Sequence, residues 1–177
     1  MRNTIIATAT ALFIGGAGVL ALAVPASAAT APGTPVTMVI TGGALGISAP
    51  TATVPLGASG SASAQTVTAP LGTVLVTDLR AGVAGWVATV GSTDFTGPTP
   101  ILAGAVAYTP GAPTVVGTAT VTPGAVTALG TAITTIAQTA TGVVGVNTAA
   151  WIPSIAVTIP AGALVGTYNA TITHSVS

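Results

Sequence analysis

The sequence predicts an all-β protein, an antiparallel β-sandwich that is Ig-like in style. Three observations lead to this prediction: many short runs in which apolar and hydroxyl residues alternate, Gly- and Pro-rich turns about every ten residues, and no convincing helical pattern. No repeat of fixed period is present, which argues against a solenoid or a propeller. We therefore expect one domain behind an N-terminal leader.

The first 28 residues have the pattern of a secretory signal peptide. Arg2 gives a positive start, residues 5–24 form an apolar run, and Pro25 precedes three small residues at 26–28. This pattern predicts cleavage after residue 28, which leaves residues 29–177 as a secreted domain without a membrane span. The alternative is an uncleaved membrane anchor, because the apolar run is long enough to cross a bilayer.

Charge is almost absent from the chain. It has two Lys or Arg, two Asp or Glu, one His and no Cys among 177 residues. Without cysteines the fold cannot use disulfides, so burial and sheet pairing must hold it. The missing basic patch excludes a nucleic-acid partner. Because like-charge repulsion is also missing, association with a surface or with other copies of the chain is favoured.

Alternation of apolar and polar residues predicts most strands of the first half of the chain. The predicted strands cover residues 35–41, 45–47, 73–80 and 86–90, with a flexible loop over 57–65. The strand over 73–80 has apolar residues on both faces, and this favours an internal position in a sheet.

In the second half, further short strands are predicted over residues 101–108 and 114–122. The segment 125–138 has apolar residues at helical spacing, but Gly130 and many β-branched residues favour a strand there. The clearest alternation predicts a final hairpin, with strands over 154–159 and 167–176 and a turn between them.

Four short segments occur in an order that is characteristic of one family. They are GALGISAP (43–50), LGTVLVTD (71–78), GWVATV (85–90) and IPAGALVGTYNATIT (159–173). Over residues 39–176 the chain resembles the WxL domain of Gram-positive surface proteins, in an actinobacterial variant. The resemblance implies secretion and non-covalent association with the cell wall.

The two motifs that give this family its name are degenerate here. Trp86 occupies the tryptophan position of the first motif, with Ala88 where leucine is expected. At the second motif His174 stands in place of tryptophan and Val176 in place of leucine. Only one of the paired tryptophans is therefore in register, and Trp151 is an additional one.

Behind the leader, every formal charge lies on three residues. Asp78, Arg80 and Asp94 are predicted to form a structural ion pair or turn caps, with Arg80 able to reach either carboxylate. The alternative is a carboxylate pair that serves a metal ion or an acid/base cycle. We predict no metal site and no cofactor, because one His and no Cys or Glu accompany the two Asp.

Three ring-bearing residues are candidates for contact with a cell-wall polymer or a partner protein: Trp86, Trp151 and His174. Trp86 lies on an alternating strand and is favoured as a core residue over a sugar-stacking platform. Trp151 precedes a Pro-containing strand entrance, where a ring can be half exposed, so it is the better ligand candidate. His174 is favoured as a hydrogen-bonded residue at the rim rather than a base or a ligand.

Three classes of function are compatible with the sequence. The leading expectation is a non-enzymatic, extracellular module that associates with the cell wall. The second is a subunit that assembles with itself or with a surface protein into an extracellular structure. A hydrolase is the third, since a Ser-His-Asp triad could be assembled from the composition but no nucleophile motif supports it.

Overall fold

The structure, a computed structural model, is an all-β sandwich and confirms the predicted fold class. It describes residues 34–58 and 60–177, so the predicted signal peptide and its cleavage site lie outside the described residues. The strands are β1 (Leu45–Ser48), β2 (Gln65–Pro70), β3 (Val74–Asp78), β4 (Trp86–Ser92), β5 (Val106–Thr109), β6 (Thr114–Pro123), β7 (Thr127–Ala128), β8 (Thr135–Trp151), β9 (Ser154–Ile159) and β10 (Ile172–Val176). One 3₁₀ turn, Ala103–Ala105, precedes β5.

The larger sheet has six strands and is organised around the 17-residue strand β8. β6 runs antiparallel along one side of β8 over almost its whole length. Residues 138–140 of β8 also pair with β4, and residues 148–150 also pair with β3. Because a strand has only two edges, β3 and β4 must both lie on the side opposite β6. β1 then pairs with β3, and β10 pairs with β4.

The second sheet has four strands in the order β2-β9-β5-β7. Apolar side chains from both sheets form one core, to which β3 and β4 of the larger sheet and β5 and β9 of the smaller sheet contribute buried residues. The inward positions of β4 are Trp86, Ala88 and Val90, as their alternation predicts, and all three are buried. Such a face-to-face arrangement places inward residues between the sheets and leaves hydroxyl residues outside.

Several predicted strands are confirmed with shifted ends. β1, β3, β4, β5 and β6 fall within or close to their predicted segments, and β3 is internal because it pairs with β1 and β8. The segment 125–138 contains no helix: it holds β7, a turn and the start of β8. The residues predicted as a loop, where the structure describes them, form no strand before Gln65.

Two predictions about strands are wrong. Residues 35–41 belong to no strand, although their alternation is clear. The final hairpin does not form either: its two predicted strands are present as β9 and β10, but β9 pairs with β2 and β5 while β10 pairs with β4 in the other sheet. Alternation reports that one face of a strand is buried, but an inward face has the same pattern in either sheet of a sandwich.

None of the described residues, 34–58 and 60–177, forms a helix long and apolar enough to span a membrane.

Candidate functional site

The predicted ion pair joins Asp78, at the end of β3, to Arg80. The guanidinium donates from Nε to Oδ1 and from Nη2 to Oδ2, both at 2.9 Å, and Nη2 also donates to two carbonyls of the following loop, those of Ala84 and Gly85. The amide of Arg80 adds a further hydrogen bond to Oδ1 at 3.1 Å. The loop between β3 and β4 is thus closed around one bidentate pair.

Two buried side chains connect this ion pair to the core. Asn147 of β8 lies opposite Asp78 in the ladder and donates from Nδ2 to Oδ2 at 3.4 Å. The indole N–H of Trp86 donates in turn to Oδ1 of Asn147 at 3.4 Å. We call Trp86, Asn147, Asp78 and Arg80 the Asp78 cluster. The Arg80 guanidinium holds the pKa of the Asp78 carboxyl below its ordinary value, so the buried carboxylate stays charged and paired.

Asp94 takes the other role that the sequence predicts, that of a cap. Its Oδ1 accepts the amide N–H of Ala103 at 2.7 Å, at the start of the 3₁₀ turn. Among the described residues Arg80 pairs with Asp78 and not with Asp94. The two carboxylates therefore serve separate structural purposes and do not form a carboxylate pair.

A second polar chain, the Tyr108 cluster, consists of Trp151, Tyr108 and His174. The indole N–H of Trp151 donates to the Tyr108 hydroxyl at 3.4 Å, and that hydroxyl lies 3.0 Å from Nε2 of His174. The Tyr108 and His174 rings are tilted by 58° relative to each other, and their centroids are 5.8 Å apart. Tyr108 comes from the four-stranded sheet and His174 from the six-stranded sheet, so the contact ties the two layers together.

Burial favours the neutral forms of the two titratable groups in the Tyr108 cluster. It lowers the pKa of His174 to about 4 and raises the pKa of Tyr108 to about 12, so both groups are neutral at pH 7. Nδ1 of His174 is buried and has no hydrogen-bond partner within the described part of the chain. The prediction of a hydrogen-bonded rim histidine is therefore confirmed at one ring nitrogen only.

Both tryptophans are core residues. Trp86 and Trp151 are each 2% exposed, which confirms the interpretation of Trp86 and shows that the half-exposed ring expected for Trp151 is wrong. Trp151 is the last residue of β8 and lies opposite Val74, on the face that points between the sheets. Its position on the strand, rather than the following proline, decides where the ring goes. Neither indole is a platform on which a sugar ring could stack.

The exposed feature at the Trp151 end of the sandwich is the next residue, Ile152. It is 59% exposed and contributes to two adjoining grooves. One groove, of about 310 Å³, is lined by Thr73, Ala112, Thr114, Ala150, Trp151 and Ile152. The other, of about 660 Å³, is mainly apolar and includes Pro50, Val54, Pro55 and Leu71. No charged residue lines either groove among the residues that the structure describes.

Sequence reasoning missed three residues that matter here: Asn147, Tyr108 and Ile152. Asn147 interrupts a run of Val, Gly, Thr and Ala on β8, and a lone amide in such a run signals a buried hydrogen bond. Tyr108 and Ile152 carry no comparable signal, because their roles depend on neighbours that are distant in the sequence.

The titratable side chains at these places are engaged in contacts within the protein. Within residues 34–58 and 60–177 no group of three or more His, Cys, Asp or Glu could hold a metal ion. Asp78 is engaged by Arg80, Asp94 by a backbone amide and His174 by Tyr108. Comparison of the chain with protein-family models, with curated proteins and with solved structures found no match.

Proposed function

We propose that this protein is a secreted, non-enzymatic module that associates non-covalently with the cell wall through uncharged contacts. The observation that carries the proposal is the pair of adjoining grooves around Ile152, which offer apolar area and threonine hydroxyls but no charge. The charged side chains among the described residues already have partners within the domain: Arg80, which is 32% exposed, is held by Asp78 and by two carbonyls, and Asp94 accepts the amide of Ala103. Apolar burial and hydroxyl hydrogen bonds are the means of binding that remain.

A wall polysaccharide suits such a surface in its chemistry. A sugar chain offers hydroxyl groups and apolar ring faces, which complement the Thr73 and Thr114 hydroxyls and the Ile152 side chain. Because Ile152 lines both grooves, a polymer lying across them would contact this side chain at the centre. Trp151 supports the groove from within and does not stack on the ligand. The resemblance to WxL domains points to the same class of partner.

Pelleting of the exported protein with isolated cell walls tests the proposal. We expect binding that is nearly unchanged between low and high salt, because salt screens charges that this surface lacks. Ile152→Asp should reduce the bound fraction at least tenfold. Leu164→Asp is the matched control, since Leu164 is also 59% exposed but lines neither groove, and it should bind like the unmodified protein.

Three results would contradict the proposal. Absence of pelleting at any salt concentration would remove the wall as the partner. Release by salt together with loss of binding in Arg80→Gln would replace the uncharged mode by an electrostatic one. Equal loss in the Ile152 and Leu164 variants would show that the grooves are not the binding surface.

A further inference from the structure

Residues 36–41 have the composition of a β-strand but belong to none. Val36, Met38 and Ile40 alternate with Thr37, Val39 and Thr41, and the four apolar side chains are 77–91% exposed. We call residues 36–41 the unpaired segment. An exposed apolar run with high β propensity favours pairing with the open edge of a sheet.

The long strand β6 has such an open edge. It pairs with β8 on one side, and no described strand pairs with its other side. Its inward residues Val115, Ala119 and Val121 pack against the core but remain only partly buried. The core is therefore incompletely covered along this edge, and no charged residue or proline interrupts residues 118–122 to discourage pairing.

The lengths of the unpaired segment and of this edge agree. Gly117 has a positive φ of 93° where the β6–β8 register first shifts, and Pro123 ends the strand. A second shift lies between Thr118 and Thr120, where the extra residue is on β8, so residues 118–122 of β6 continue without an inserted residue. At about 3.3 Å per residue, the five residues of this stretch and the six of the segment both extend for roughly 17–20 Å.

The patterns of the two strands agree as well. Added beside β6, the Val36, Met38 and Ile40 side chains would cover Ala119 and Val121 on the inner face. Thr37, Val39 and Thr41 would then lie on the outer face, where the two threonines continue the exposed row of Thr118, Thr120 and Thr122. Cross-strand pairs of threonines and of apolar residues both stabilise sheets.

The strands β1, β7 and β10 also lie at sheet edges, but with four, two and five residues they are shorter than the six-residue segment. The edge of β2, with six residues, is the competing acceptor of matching length, and it is less suitable. Residues of the segment 50–55 share a groove with Ala69 and Pro70, so the end of β2 already has neighbouring chain. Pro70 also lacks the amide N–H that a new strand would need.

We propose that the unpaired segment of one copy adds as an extra strand to the β6 edge of a second copy, linking copies head to tail. The donor and acceptor surfaces differ, so the contact is heterologous, and repetition gives an open chain of copies unless the rotation closes a ring. The contact would bury on the order of 1,000 Å² in total, at the low end of specific interfaces, so assembly should depend on concentration. It does not depend on the grooves at Ile152 or on wall binding.

Disulfide trapping gives a clean test, because the protein has no cysteine of its own. The exported Thr37→Cys variant is mixed with the Thr120→Cys variant and oxidised. In a parallel experiment it is mixed with the Thr66→Cys variant, whose cysteine lies on the β2 edge. All three positions are exposed. We expect a covalent dimer with Thr120→Cys in at least tenfold excess over that with Thr66→Cys. Equal trapping, or preferential trapping at Thr66, would overturn the assignment to β6.

Sedimentation velocity over a range of concentrations supplies the second measurement. The unmodified protein should form oligomers, and Met38→Asp should need at least tenfold higher concentration, because the carboxylate would be buried against Ala119 and Val121. Near-ultraviolet circular dichroism of the buried tryptophans verifies that the variant is folded. A protein that stays monomeric at every concentration overturns the proposal, and so does a Met38→Asp variant that assembles like the original.

Wall pelleting by monomeric Met38→Asp should be unchanged, which separates this inference from the proposed function.

Discussion

The Asp78 cluster and the Tyr108 cluster solve the same problem in different ways. Each contains a buried tryptophan whose indole N–H needs an acceptor, and each supplies one through a polar side chain from another strand. The Asp78 cluster ends in a bidentate ion pair at the loop after β3. The Tyr108 cluster ends in a neutral imidazole whose second nitrogen has no partner among the described residues.

The difference shows how a chain with so little charge distributes it. The carboxylate and guanidinium of the Asp78 cluster are two residues apart in the sequence and are joined by several hydrogen bonds, so the burial of Asp78 is compensated. The Tyr108 cluster lies between the two sheets and contains no charge that could balance a protonated imidazole. One cluster should resist acid to below pH 4, and the other should weaken above that pH.

Truncation of the two tryptophans should lower the free energy of unfolding most. The loss should be similar in the two clusters. Because both rings are 2% exposed, we expect Trp86→Ala and Trp151→Ala each to lower the free energy of unfolding by about 3–5 kcal/mol. Chemical denaturation followed by circular dichroism measures both. A Trp151 variant that loses less than about 1 kcal/mol would show that this ring lies at the surface and is available for ligands.

Loss of the ion pair should cause the next largest decrease in the free energy of unfolding, and it should affect the Asp78 cluster alone. Asp78→Asn leaves Arg80 and Asn147 without their charged acceptor, and should cost about 2–3 kcal/mol at pH 7. The double variant Asp78→Asn/Arg80→Gln should recover part of this loss. Additive losses in this double-mutant cycle would mean that the two side chains do not interact in solution. Asp94→Asn is the matched control, because it removes a carboxylate that only caps a turn.

Mild acid should cause the smallest decrease in the free energy of unfolding, and it should act on the Tyr108 cluster. The pKa of His174 is about 4 in the folded state and near its ordinary 6.5 in the unfolded state, so the unfolded chain binds a proton first. Stability is therefore complete above pH 6.5 and falls as the pH is lowered towards 4, by on the order of 1–2 kcal/mol for a partly exposed ring.

The variant His174→Gln gives the control for the acid effect. Its stability should be flat between pH 6.5 and 4 and should fall only below about pH 4, where Asp78 takes up its proton and loses its pairing with Arg80. Denaturant titrations at several pH values measure this. An unmodified protein whose stability is independent of pH over the same range would contradict the burial of the imidazole.

The sequence by itself determined what depends on near neighbours. Alternation is enough to place Trp86, Ala88 and Val90 on the inner face of β4, since successive side chains of a strand point to opposite faces. Asp78 and Arg80 are two residues apart, close enough for the guanidinium to reach the carboxylate from the bend after β3, and their pair forms as predicted. All-β architecture follows from many such short segments and needs no knowledge of which strand pairs with which.

Only the tertiary structure decided the pairings. β9 and β10 lie in different sheets, the Tyr108–His174 contact joins residues 66 positions apart, and Trp151 is buried because β8 carries it between the layers. The inward face of a strand is apolar whichever sheet it enters, so alternation cannot distinguish these choices. They depend on which open edges and which gaps in the core the rest of the chain has left to fill.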